Sequence, residues 1–224
     1  MTWNIPNILT VLRLLAAPCV AIVFLLLPHP VADWVALILF VGAAVTDWFD
    51  GYIARKWNQQ SRFGAMLDPI ADKAMVTIAL LTVTSLFGMS FAIMLPAALI
   101  LFREVFVSGL REYLGPAAGL LQVTRLAKWK TTVQMVAIAV LLAQGLFEHY
   151  FGMGSFGMDA ATVAEILAGR AEDVGGLVWT YRGAVGTLYL GVALLWLAAI
   201  LTLTTGWDYF IKALPYLRDD EAQP

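Results

Sequence analysis

Charge is scarce in this chain of 224 residues: Asp, Glu, Lys and Arg together make up 13%, about half the share of an ordinary soluble domain. The single cysteine, Cys19, excludes an internal disulfide framework and leaves the redox compartment open. No basic stretch precedes the first apolar run, and that run is long enough to span, so a cleaved leader is not expected. Pro18 directly before Cys19 argues against lipid attachment at the thiol. Repeats, linkers and low-complexity tracts are missing as well, which predicts one domain over 1–224.

What the chain has instead is apolar residues, 61% of the total, gathered in long blocks at 8–27, 35–45, 75–86, 91–101, 133–142 and 183–203. About 20 helical residues at 1.5 Å each cross a hydrocarbon layer roughly 30 Å thick. With their polar flanks the blocks predict helices over 8–27, 32–54, 62–87, 91–112, 128–147 and 183–206, an all-α integral membrane fold of six transmembrane helices. Trp57, Trp129, Trp179 and Trp207 fall near span ends, where an aromatic belt sits. Residues 148–182 read as the one long outer loop, with a short surface helix over 160–171 that turns Val163, Ile166 and Leu167 toward lipid or protein.

The formal net charge of -2 conceals an asymmetry. Arg55, Lys56, Arg62 and Lys73, then Arg103, Arg111, Arg125, Lys128 and Lys130, then Lys212 and Arg218 form three basic clusters, while the turns at 28–33 and 87–90 hold no Lys or Arg. With six spans these clusters share one side with both termini, and the positive-inside rule makes that side cytoplasmic. The expected location is therefore the inner (cytoplasmic) membrane, multi-pass, with no nucleic-acid partner.

The chemistry concentrates in residues 46–73, TDWFDGYIARKWNQQSRFGAMLDPIADK. On a helix, Asp47, Asp50, Gly51 and Ala54 fall within about 60° of one another. Gly64, Asp68 and Asp72 form a stripe on the next helix. The short connection brings the two helices together antiparallel, so four carboxylates converge at the cytoplasmic end of the pair. Each costs about 2.5 kcal/mol or more at mid-span, and four repel one another, so positive charge belongs among them. Oxygen-only ligation suits hard ions such as Mg²⁺ or Mn²⁺, and two of these cancel four negative charges and can clamp a diphosphate. Gly51 and Ala54 permit close approach of a ligand or helix, and Arg55 can grip a phosphate. Pro69 either bends its helix or starts it at an Asp68 cap.

This segment resembles the signature of the CDP-alcohol phosphotransferase family, D-x-x-D-G-x-x-A-R, eight residues, then G-x-x-x-D-x-x-x-D, at every fixed position. The resemblance implies a six-helix membrane fold, a homodimer, and two divalent ions at a cytoplasm-facing site. It makes Asp47, Asp50 and Asp68 metal ligands, and Asp72 a general base that also touches metal. It gives Gly51, Arg55 and Ser61 to the CDP group of a CDP-linked lipid, with Ala54 and Gly64 in the same site.

Two more segments resemble the phosphatidylglycerophosphate synthase branch: NIPNILTVLRLLAAP at the N-terminus, and FREVFVSGLREYLG at 102–115 followed by KWKTTVQM at 128–135. Asn7, Thr10 and Arg13 share a helix face and are expected at the cytidine or its phosphates. Arg103 lies inside an apolar helix, with Glu104 read as facing elsewhere, so it needs another anion. With Arg111, Lys128 and Lys130 it predicts a pocket for the acceptor's own phosphate. The substrates implied are CDP-diacylglycerol, drawn from the membrane lipid, and glycerol 3-phosphate. Inositol, inositol phosphate, serine or phosphatidylglycerol are the alternative acceptors, and a divalent cation transporter is the reading from another class.

Overall fold

The computed structural model describes residues 4–56, 61–115, 119 and 125–217; inside the helices, the side chains of residues 48, 50–56 and 125–128 fall outside the description. The described residues form seven helices and no strand: α1 (Ile5–Leu26), α2 (Val31–Lys56), α3 (Arg62–Leu86), α4 (Phe91–Leu114), α5 (Arg125–Gly154), α6 (Ala160–Leu167) and α7 (Leu177–Leu217). Among the described residues α1, α3, α4, α5 and α7 are long and apolar enough to cross a membrane. α2 has the length, 26 residues, and carries the acidic and basic residues of the motif. Six long helices thus occupy the six expected spans. The chain is an all-helical, multi-pass membrane protein, as an apolar solvent requires of a backbone that must satisfy its own hydrogen bonds.

The interior is built from small side chains. Ala17, Ala36, Ala71, Ala79, Ala137 and Ala198 are wholly buried, whereas Leu15, Leu25, Ile38, Leu81 and Val105 point outward. Lipid tails are as apolar as leucine, so helices gain by close backbone approach rather than by hiding large residues. Phe40, Met75, Leu80, Ile138 and Leu195 fill the remaining space of one continuous core.

Several helix ends differ from the sequence expectation, including that of α7, which runs to Leu217 rather than 206. α5 continues to Gly154 and α7 already starts at Leu177, so the outer connection shortens from 148–182 to 155–176. Glu148 and His149 read as loop because they are polar, but α5 and α7 form the most extensive helix pairing of the fold and hold each other helical past the apolar runs. The Phe151 and Tyr181 rings meet at 5.4 Å, and Gly183 rests on the Phe147 ring. The surface helix α6 ends at Leu167 rather than 171, stopped by Gly169 at φ +71°. Its N-cap Asp159 accepts from Thr162 N at 2.8 Å, and the hydrogen bonding from Thr162 holds that carboxyl below its ordinary range. Val163, Ile166 and Leu167 are its least exposed residues.

α7 spans 41 residues. The exposed Trp179 and Trp207 stand 28 positions apart on it, about 42 Å of helix rise, which matches a bilayer measured to its headgroups. Trp129 is exposed at the start of α5, and Trp57 lies outside the described residues.

At Gly191 α7 packs tightly on α5: an added Cβ would stand 2.6 Å from Leu141 Cγ and Cδ2, whereas one at Gly186 meets nothing within 4 Å. Gly191→Val should therefore cost about 1–3 kcal/mol through overpacking and lower the thermal unfolding midpoint in detergent, while Gly186→Ala leaves it in place. Equal midpoints for the two variants would refute this account of the α5–α7 seam.

Candidate active site

The start of α1, the end of α2, the start of α3, the end of α4 and the start of α5 lie at one end of the bundle, joined by side-chain contacts among them. α1 begins cleanly there because Asn4 caps it, accepting from Asn7 N at 3.0 Å, with Pro6 in its first turn. α3 begins at an analogous cap, Ser61, whose Oγ accepts from Gly64 N at 2.9 Å. This resolves the Pro69 alternative: Asp68 does not start the helix, and Pro69 lies inside α3.

Helix α1 is tied to the acids. Arg13, its side chain 2% exposed, donates through Nη1 to Oδ1 of both Asp47 on α2 and Asp72 on α3, the latter at 2.5 Å. Thr10 Oγ1 donates to Asp68 Oδ1 at 2.7 Å, with the Pro6 carbonyl a second acceptor within reach at 3.0 Å. Ser61 Oγ donates to Asn7 Oδ1 at 2.8 Å. Asn7, Thr10 and Arg13 do share one face, and in this structure that face meets α2 and α3. Gly64 serves the same approach, since a Cβ there would stand 2.7 Å from Asn7 Oδ1.

The donor set has the chemistry of a hard-cation site. Asp47 and Asp72 reach one common positive nitrogen while keeping 49% and 53% of their side-chain surface exposed. Among the described acids the donor is carboxylate oxygen, the type Mg²⁺ or Mn²⁺ prefers. Among the described residues no three Asp, Glu, His or Cys side chains close around a single point. The fourth acid, Asp50, lies outside the described side chains, as do Gly51, Ala54, Arg55 and Lys128 of the sequence expectation.

Two cavities share Asp72, Val76 and Thr131. One, about 300 Å³, is lined by Arg13, Asp47, Asp72, Thr131 and Thr132 together with the apolar Ala43, Met75, Val76, Met135 and Val136. The other, about 410 Å³, is lined by Asp68, Asp72, Lys73, Arg103, Glu104, Arg111, Lys130, Thr131 and Gln134. Arg103, Arg111 and Lys130 therefore do gather beside the acids. The expectation that Glu104 faces away is wrong: its Oε1 accepts from Arg103 Nη1 at 3.1 Å and from Lys130 Nζ. Adjacent helical residues diverge by about 100°, but two long side chains can bend back toward each other above the helix. Lys73 donates to Ser108 Oγ, and Ser108 to the Glu104 carbonyl at 2.6 Å, so α3, α4 and α5 are joined through one acid. The Arg111 guanidinium lies 5.2 Å from the centroid of the Tyr209 ring of α7.

Residues 3–204 match the sequence model of the CDP-alcohol phosphatidyltransferases. The chain belongs to this family. A relative from Cereibacter sphaeroides, named CDP-diacylglycerol–glycerol-3-phosphate 3-phosphatidyltransferase, is 59% identical over 99% of this chain and 100% of its own length. Proteins of the same name from Salmonella choleraesuis and Shigella flexneri serotype 5b are 43% identical over 70% of the chain and 86% of the relative, and 36% identical over 98% and 100%.

In this CDP-alcohol phosphatidyltransferase, sequence reading misses a feature at the far end of the bundle. Both histidines, His29 and His149, line a cavity of about 450 Å³ with Asp33, Gln144 and Glu148. Asp33, 1% exposed, contacts His29 Nδ1 at 2.5 Å and packs on Gly145. Fourteen positions on α2, about 21 Å of rise, separate it from Asp47. Only the folded backbone unites residues 29 and 149.

Removing the shared cation should leave Asp47 and Asp72 repelling each other. Arg13→Leu is expected to lower the unfolding midpoint of the purified protein, because two half-exposed acids lose the cation they share. Adding Asp47→Asn should recover part of that loss, since the two sites are coupled. Strictly additive losses in the double variant would show that Arg13 does not hold these acids.

Proposed function

We propose that the chain transfers the phosphatidyl group of CDP-diacylglycerol to the 1-hydroxyl of glycerol 3-phosphate, releasing CMP and forming phosphatidylglycerophosphate. The observation that carries this reading is Asp72 lining both cavities, one with methionines and valines beside the acids and one with lysine and arginine beside them. It is supported by the whole-length likeness to a relative named for that reaction.

On this reading the acyl chains of the donor stay in lipid, and its diphosphate lies at Asp47, Asp50, Asp68 and Asp72. Two divalent ions, Mg²⁺ or Mn²⁺, would be held by these four acids and would supply charge to offset the diphosphate. Gly51, Ala54, Arg55 and Ser61 hold the CDP group. Arg13 and Thr10 set the acids in place from α1. Asp72 takes the proton of the acceptor hydroxyl, whose oxygen attacks the phosphorus that carries diacylglycerol. A new P–O bond forms as the bond to the bridging oxygen breaks, and CMP departs with that electron pair. Arg103, Arg111, Lys128 and Lys130 hold the acceptor's phosphate, with Glu104 fixing Arg103 and Lys130 and trimming the local positive charge. The enzyme works as a homodimer in the inner membrane with this end facing the cytoplasm, the side where the basic clusters lie.

The test is CMP release by purified protein given CDP-diacylglycerol and a panel of glycerol 3-phosphate, inositol phosphate, serine and phosphatidylglycerol. Glycerol 3-phosphate should be the fastest acceptor by at least about tenfold, one decade being roughly 1.4 kcal/mol. A chelator should stop turnover, and Mg²⁺ or Mn²⁺ should restore it. Faster release with another acceptor would overturn the assignment. Asp72→Asn should cost about 10²–10⁴ in rate, the usual share of a general base, while binding of CDP-diacylglycerol persists.

A further inference from the structure

Glutamine 134 is not explained by the helix bundle. It sits on α5 one turn beyond Lys130, so the two share a face, and both line the basic cavity beside Asp72. Gln134 is 3% exposed. Its Oε1 is shut away from solvent and takes no hydrogen bond from the protein. Buried polar side chains nearly always have a partner, and one left open at a cavity wall calls for an explanation. On the same wall Lys130 and Arg103 engage Glu104, Lys73 engages Ser108, Asp68 engages Thr10, Asp72 engages Arg13, and Arg111 lies over the Tyr209 ring.

We propose that the Gln134 carboxamide recognises the free secondary hydroxyl of the acceptor, Oε1 accepting its hydrogen bond. The inference rests on the reading of glycerol 3-phosphate as acceptor and adds the residue that reads its middle carbon. That acceptor presents three groups: a phosphate, a reacting hydroxyl and one hydroxyl that takes no part in the chemistry. The cavity supplies cations for the first and Asp72 for the second. A neutral amide suits the third, because it pairs with a hydroxyl without altering the charge balance between the cations and the acids. The last torsion of a glutamine is soft, so turning the amide to present Oε1 to the cavity meets little resistance. A site built to pair a substrate hydroxyl discriminates against an analogue that lacks it, because its own polar group is then left unmatched. Gln134 is thus a specificity residue, in contact with a part of the acceptor that does not react.

The test compares glycerol 3-phosphate with 3-hydroxypropyl phosphate, which keeps the phosphate and the reacting hydroxyl and lacks the middle one. The wild-type protein should prefer glycerol 3-phosphate by roughly ten- to a hundredfold in kcat/KM. In Gln134→Leu and Gln134→Met the rate with glycerol 3-phosphate should fall by that factor while the rate with the analogue stays nearly level, so the preference collapses. Each variant serves as its own control, and partial misfolding cancels in the ratio. An unchanged ratio in the variants overturns the role of Gln134. Should both variants fail to fold, the wild-type ratio still decides, because equal use of the two acceptors by the wild type overturns the proposal. A wild type inactive with glycerol 3-phosphate but active with another acceptor overturns the acceptor reading itself, a result distinct from either of these.

Discussion

A single guanidinium organises this end of the molecule. Arg13 gives one nitrogen to carboxylates from two other helices, and the pairing sets the relative height of α1, α2 and α3. Buried charge is tolerated only where it is matched, so a one-residue slip in any of the three helices would strand a carboxylate or the cation. The neutral contacts around it, Thr10 to Asp68 and Ser61 to Asn7, follow the same register. Gly64 lets the helices come close enough for all of them to form at once.

Around that point the bundle divides its surroundings by polarity. Helices lined with alanine pack closely and leave larger side chains to the lipid, and the space that remains near the acids splits at Asp72. Methionines and valines line one branch, and lysine and arginine line the other. A water-soluble anion and a lipid anchored by its tails can then approach the same carboxylate from different directions. The low exposure of Lys130 strengthens its ion pair with Glu104, because screening by water is weak there.

Helix placement was legible because each span announces itself by length and hydropathy, and the facing of Asp47 and Asp72 because their spacing matches helical geometry. Arg103, Arg111 and Lys130 were legible as neighbours from their place at one membrane face, and they line one cavity. What α1 does with its polar face was not. Asn7, Thr10 and Arg13 were rightly placed on one face, but a sequence does not say whether such a face meets a ligand or a neighbouring helix. Glu104 was misjudged for a related reason, since angular position on a helix fixes the Cα–Cβ direction and leaves a long side chain free to bend. The extra turns of α5 and α7 arise from mutual packing between segments some forty residues apart, which no local pattern carries. The cavity holding His29 and His149 was hidden for the same reason.

Chain order gives the Arg13 pairing a role during biogenesis. α1 leaves the ribosome and enters the bilayer well before Asp47 and Asp72 have been synthesised, so its cation begins without either carboxylate. It lies about 12 Å along the helix, shallow enough for a flexible stem to carry its head to the phospholipid surface. As α2 and α3 arrive, the two acids compete for that same head and draw it inward. The pairing closes only with all three helices in place, because it takes one group from each.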